Sequence, residues 1–269
     1  MPLTIDGLHL YPVKGARGIA VPEARVLRRG FAHDRRFMIV DGAGTFASQR
    51  TLPELARVTT AIEGDALRLD APGMPPLRVP LELPGGARRD VVVWKSTCAA
   101  LSAGPEAAGW LGAYLGAPHE LVYMPDSTER AVDADYGRAG DVVSFADAFP
   151  VLIASTSSLD DLNAKLGSPV PMNRFRPSVV VRGAPAWDED TWRVVAVGGA
   201  TMRVVKTCGR CTVITVDQDT GQRGAEPLRT LATFRTQQGS VNFAVNAIPD
   251  GELTLRVGDA IEIVERGAA

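Results

Sequence analysis

Short runs of valine, isoleucine and threonine, alternating apolar with polar positions, recur along most of this chain. A period of two lines one face of a strand and cannot line one face of a helix. The runs fall at 3–11, 23–28, 36–41, 57–62, 90–94, 120–124, 178–182, 192–197, 201–206, 212–216, 241–247 and 253–264. Turn sequences separate them, as in DGAGT (41–45), VGGAT (197–201), DQDTG (217–221) and PDGE (249–252). The pattern predicts a mainly β protein with a few short helices. Helical spacing is confined to three segments. Residues 104–116 carry a proline near the start and end in glycine. Residues 155–167 set Ser157 three positions before Asp160, as a capping box does, and 227–234 form a shorter third candidate.

A chain of 269 residues is long enough for two domains or one large β unit. The expected division lies near Ala117–Pro118, giving units 1–117 and 118–269. Between strands, residues 126–149 have weak periodicity and read as a long loop, a length usually associated with function or mobility. The 29 basic and 31 acidic side chains leave a formal charge of −2, which does not recommend nucleic acid or an anionic membrane as partner. No apolar window is long enough to span a bilayer, and the N-terminus lacks the charged start and apolar run of a signal peptide. A cytoplasmic protein is expected. Three cysteines, an odd number, fit a reducing compartment better than a disulfide framework.

Two of those cysteines stand three positions apart in VVKTCGRCTVITVDQDTG, residues 204–221. A structural zinc needs four ligands, and Cys98 with His9, His33 and His119 supplies no second pair. A redox dithiol wants its first cysteine at a helix N-terminus, whereas TVITV reads as a strand. Two small residues packed in a β core are a further reading. The intervening Gly209 and Arg210 instead suggest a turn that presents a sulfur beside a cation, as a nucleophile or soft-metal ligand requires.

These residues, with LYPVKGARG (10–18), GFAHDRRFMIVDGAGTFASQR (30–50), FADAFPVLIASTSSLDDLN (145–163), RFRPSVVV (174–181) and LRVGDAIEI (255–263), make the chain similar to the MOSC family. That family includes the C-terminal domain of molybdenum cofactor sulfurase and the amidoxime-reducing component. The resemblance implies an N-terminal β-barrel-like domain followed by a β-barrel MOSC domain. It implies the molybdenum cofactor, a molybdenum-bearing molybdopterin, with Cys211 as metal ligand and catalytic sulfur and with Arg210 helping to hold that sulfur deprotonated. Lys14, Arg35 and Arg176 are implied around the pterin phosphate, and Asp147 and Ser178 in the cofactor region. The pattern departs from many members at Gly15 and Ser178, each losing a polar contact, and at Ala148 and Phe149, which make the pocket more apolar.

The implied reaction is two-electron reduction of small N-hydroxylated substrates. No ferredoxin-type cysteine cluster is present, so the electrons would come from a separate flavin or iron–sulfur protein. The rival expectation is a carrier that holds the cofactor or a persulfide on Cys211 without turnover. Pyridoxal phosphate is not expected, because four lysines and no large fold for it offer no obvious Schiff-base site.

Overall fold

The computed structural model describes residues 2–267, and the alternation read from sequence resolves into four sheets. The largest has nine strands, seven of them from the C-terminal half of the chain: Val151–Ser155, Val179–Arg182, Trp192–Val197, Ala200–Gly209, Thr236–Gln237, Ser240–Pro249 and Glu262–Arg266. Thr4–Leu10 and Ile19–Val21 complete it from the N-terminal end. Between those two strands the chain leaves for a five-stranded sheet ordered Arg88–Val93, Ser96–Ser102, His119–Tyr123, Phe37–Asp41, Val13–Lys14. Residues 11–18 therefore bridge the two sheets. Glu23–Leu27 pairs with Leu253–Arg256 and Gly30–Phe31, a second tie between the chain's two ends, and Thr59–Glu63, Ala66–Asp70 and Leu77–Pro80 form a small meander.

Each large sheet carries its own core. Ile5, Leu8, Trp192 and Val245 pack under the nine-stranded sheet, and Phe37, Leu55, Trp110 and Leu121 under the five-stranded one. Each such side chain contributes roughly 1.5–3 kcal/mol by leaving water. Across the seam between these cores polar side chains pair, Lys14 with Asp147 and Gln49 with Gln218.

Three α-helices are present among the described residues. Pro105–Leu115 starts on proline and ends on Gly116 in the left-handed conformation (φ 70), as its sequence predicts, and Leu228–Phe234 matches the third candidate. Thr156–Asn163 begins one residue before Ser157, and no side-chain cap bond forms, so the capping box is not realised. Two strand predictions also change. Residues 253–264 divide into Leu253–Arg256 and Glu262–Arg266 in different sheets, turning at Gly258 (φ 95). TVITV is a 3₁₀ turn over Thr212–Thr215, in which Thr215 Oγ1 donates to the Thr212 carbonyl at 2.8 Å and Ile214 drops into a cluster with Phe175, Leu231 and Phe243. Tertiary burial of one isoleucine overrides the β-branched propensity. Among the described residues no helix is long and apolar enough to cross a membrane.

Candidate functional site

The strand Ala200–Gly209 runs to the seam and stops there, its last pairing being Gly209 with Asn242. Arg210 N–H then donates to the Val241 carbonyl at 2.7 Å, and Cys211 follows in extended conformation (φ −125, ψ −178) ahead of the 3₁₀ turn. This exit from the sheet brings Cys208 and Cys211, both half-buried, to the wall of one cavity of about 460 Å³. All seven residues singled out from the sequence line it: Lys14, Arg35, Asp147, Arg176, Ser178, Arg210 and Cys211. They come from five separate segments.

The guanidinium assigned to Cys211 is a different one from that expected. Arg210 Nη1 donates to Cys208 Sγ at 3.0 Å and its Nη2 to the Phe175 carbonyl at 2.8 Å. Arg210 is thus engaged by the sulfur two residues before it and by the Phe175 carbonyl. Arg50, from the SQR turn, takes the place beside Cys211, with Nη2 donating to Sγ at 3.2 Å.

Across the cavity, three cations sit around Tyr11 and Asp147. Lys14 is buried and pairs with Asp147, whose side chain keeps 66% of its surface open to the cavity. Burial pushes the Lys14 ammonium below its ordinary pKa, and Asp147 works against that shift. The charge and hydrogen bond of Lys14, with the indole N–H of Trp94 at 3.0 Å, hold Asp147 well below the usual carboxylate range. Arg35 pairs with the buried Asp34 and reaches Ser178 Oγ at 3.5 Å. Arg176 has no carboxylate partner among the described ion pairs, and its Nη1 is buried without a hydrogen bond. Burial, with the like charge of Arg35, lowers Arg176 to about 10, so it stays cationic at neutral pH.

Tyr11 makes this crowding of cations possible. Its buried ring lies 4.2 Å from the Arg35 guanidinium carbon and 4.4 Å from that of Arg176, and burial raises its own hydroxyl to about 12, so the ring stays neutral. Its hydroxyl donates to the Pro177 carbonyl at 3.0 Å. Arg35 (φ 47), Trp94 (φ 56) and Arg176 (φ 57) all hold left-handed backbone, which side chains of this size rarely adopt. Strain of this kind collects at functional sites.

The long loop carrying Asp147 is fixed. Arg130 donates from Nη1 to the carbonyls of Ser144 (2.9 Å) and Ala146 (2.6 Å) and from Nη2 to that of Asp147 (2.9 Å), while Phe145 N–H donates to the Arg35 carbonyl at 3.0 Å. Sequence reading missed Tyr11, Arg50, Trp94 and Arg130. Tyr11 and Arg50 lie inside the quoted motifs, and a signal for them was therefore present; Trp94 and Arg130 lie outside any of them. His33 is exposed and off the cavity.

A family model described as the MOSC N-terminal beta barrel domain matches residues 2–118, and one described as the MOSC domain matches residues 140–262. The chain belongs to the MOSC family. Its relatives include mitochondrial amidoxime reducing component 2 of Rattus norvegicus, 32% identical over 278 residues, covering 96% of this chain and 82% of that protein. Mitochondrial amidoxime-reducing component 1 of Homo sapiens is 30% identical over 279 residues, covering 97% and 83%. The cavity draws Lys14, Arg35, Arg50 and Trp94 from the first matched region and Asp147, Arg176, Cys208 and Cys211 from the second. In this MOSC protein no three His, Cys, Asp or Glu side chains converge on a common point among the described residues.

Proposed function

We propose that the cavity binds the molybdenum cofactor and that the protein reduces small N-hydroxylated molecules, taking electrons from a separate flavin or iron–sulfur protein. The observation that carries this reading is that one cavity is lined by Cys211 on one side and by Arg176 on the other, with Nη1 of Arg176 buried and unpartnered. An orphaned buried guanidinium N–H is costly unless an anion completes it. A pterin phosphate and a soft metal ask for this donor set, a fork-shaped cation at one end and a thiolate at the other. Cys211 would ligate the metal, Arg176 and Arg35 would take the phosphate, and Ser178 would hold Arg35 in place.

Bound there, the cofactor supplies two-electron chemistry at the metal, and the balanced reaction is R–NHOH + 2e⁻ + 2H⁺ → R–NH₂ + H₂O. The chain's own residues orient the substrate. Asp147, ionised and open to the cavity, accepts an N–H of the substrate, and Lys14 keeps that carboxylate charged. Ala148, Phe149 and Pro150 beside it give an apolar wall that excludes water from the reacting nitrogen.

The test is turnover of benzamidoxime with a chemical one-electron reductant, using protein made in a host that synthesises the cofactor. Wild type should turn over and Cys211→Ser should not. Bound molybdenum without any reduction would overturn the enzyme reading and favour a carrier.

A further inference from the structure

Trp94 is out of place by ordinary rules. It sits in the two-residue turn between Arg88–Val93 and Ser96–Ser102, where Asn-Gly is the usual sequence, with its backbone in the left-handed region at φ 56 and 44% of its surface exposed. Burial does not explain a strained, solvent-facing indole. Its contacts do. The indole N–H donates to Asp147 at 3.0 Å, Phe46 packs against the ring at 5.0 Å, and the Arg50 guanidinium carbon lies 4.3 Å from the ring centroid.

Arg50 is equally unusual. Among the described residues it has no carboxylate within ion-pair distance, and the one hydrogen bond its side chain makes is to Cys211 Sγ at 3.2 Å. Its backbone is anchored, since Arg223 Nη2 donates to the carbonyls of both Gln49 and Arg50. A guanidinium held against an indole face gives up much of its rotamer freedom before any partner arrives.

We propose that Trp94 and Arg50 are a positioning couple for Cys211: the indole holds the guanidinium, and the guanidinium sets the charge around the sulfur and aims it into the cavity. Asp147 ties the couple to the opposite wall through its bonds to Trp94 and Lys14. The consequence for metal binding rests on the cofactor reading above; the couple itself does not, because it involves protein groups alone.

The experiment therefore uses the metal-free full-length protein. Cys211 and Cys208 are alkylated with iodoacetate, which is anionic, and with iodoacetamide, which is neutral and similar in size. The ratio of the two rates cancels accessibility and thiolate fraction and reads local positive charge. Trypsin cleaves after Arg210, so the two cysteines report in separate peptides. A unit charge about 4 Å away in water changes such a ratio about fivefold. Arg50→Met should lower the Cys211 ratio about fivefold and leave Cys208 unchanged, and Arg50→Lys should keep most of it. Trp94→Leu should reproduce the loss with Arg50 intact, and Trp94→Phe, which retains a ring face, should restore most of it. An unchanged Cys211 ratio in Trp94→Leu, or an equal fall at both cysteines, overturns the proposal. Molybdenum absent from the wild-type protein would remove the cofactor reading and leave these ratios as they are.

Discussion

Replacing Tyr11 separates the two jobs its side chain does. Tyr11 is 2% exposed, bonds Pro177 through its hydroxyl and lies against both Arg35 and Arg176. Tyr11→Phe removes one neutral hydrogen bond and leaves a buried carbonyl unpaired, a cost of about 1–2 kcal/mol. The ring stays, and with it both cation contacts. Tyr11→Leu loses the hydrogen bond and both contacts, each worth about 1–2 kcal/mol when desolvated, and brings the repulsion between the two guanidinium groups into play. Its total cost is about 3–6 kcal/mol. Urea unfolding gives both values, and thermal shift with inorganic pyrophosphate shows whether the cationic seat survives. The phenylalanine variant should keep anion-induced stabilisation and the leucine variant should lose it. Equal stability of the two variants would refute the idea that the ring reconciles the paired arginines.

Other outcomes follow from particular buried groups. Glu189 is fully buried, accepts from Ser158 Oγ at 2.8 Å through one oxygen and has no partner for the other, and burial pushes its carboxyl up to about 7. The folded state thus binds this proton more tightly than the unfolded chain, so the group's stabilising contribution is full below its ordinary value near 4.5 and is lost as pH rises through about 7. Glu189→Gln should raise stability at pH 8 by on the order of 2–3 kcal/mol with little change near pH 4.5; an unaltered pH slope in urea unfolding would contradict this. Asp147→Ala strands the Lys14 charge, whose side chain is 8% exposed, and should cost about 3–5 kcal/mol. Lys14→Met leaves the open Asp147 solvated and should cost less, so the reverse order would count against the assignment. A methyl group at residue 18 would overlap the Tyr11 ring, so Gly18→Ala should destabilise by about 1–3 kcal/mol and weaken anion binding in parallel.

Much of the fold was legible because half-buried strands announce themselves by alternation. Trp192–Val197 appears at the bounds its pattern predicts. Val151–Ser155 escaped because it lies inside the nine-stranded sheet, flanked by Val179–Arg182 and Ser240–Pro249, and reads as a continuous apolar run without alternation. Ser96–Ser102 is written mostly in Ser, Cys and Ala, with one threonine and one leucine and no valine or isoleucine, so its strand signal is weak and its place comes from the partner strand. For the candidate site, the chemistry-bearing types could be found through motifs, but the pairing of cations with sulfurs could not. Whether Arg50 or Arg210 meets Cys211 depends on where the strand ends and how the 3₁₀ turn folds back, and tertiary packing decides that. Arg176, immediately before Pro177, stands at φ 57 although residues preceding proline favour extended backbone, so its presentation to the cavity was likewise invisible in the sequence.

Molybdenum content, measured on protein from a host that makes the cofactor, decides whether Cys211 is a metal ligand. The wild type should hold about one metal atom per chain, as a single thiolate site requires, with near-complete loss in Cys211→Ser and retention in Cys208→Ser. Equal retention in both variants, or equal loss from both, would contradict the assignment of the metal to Cys211.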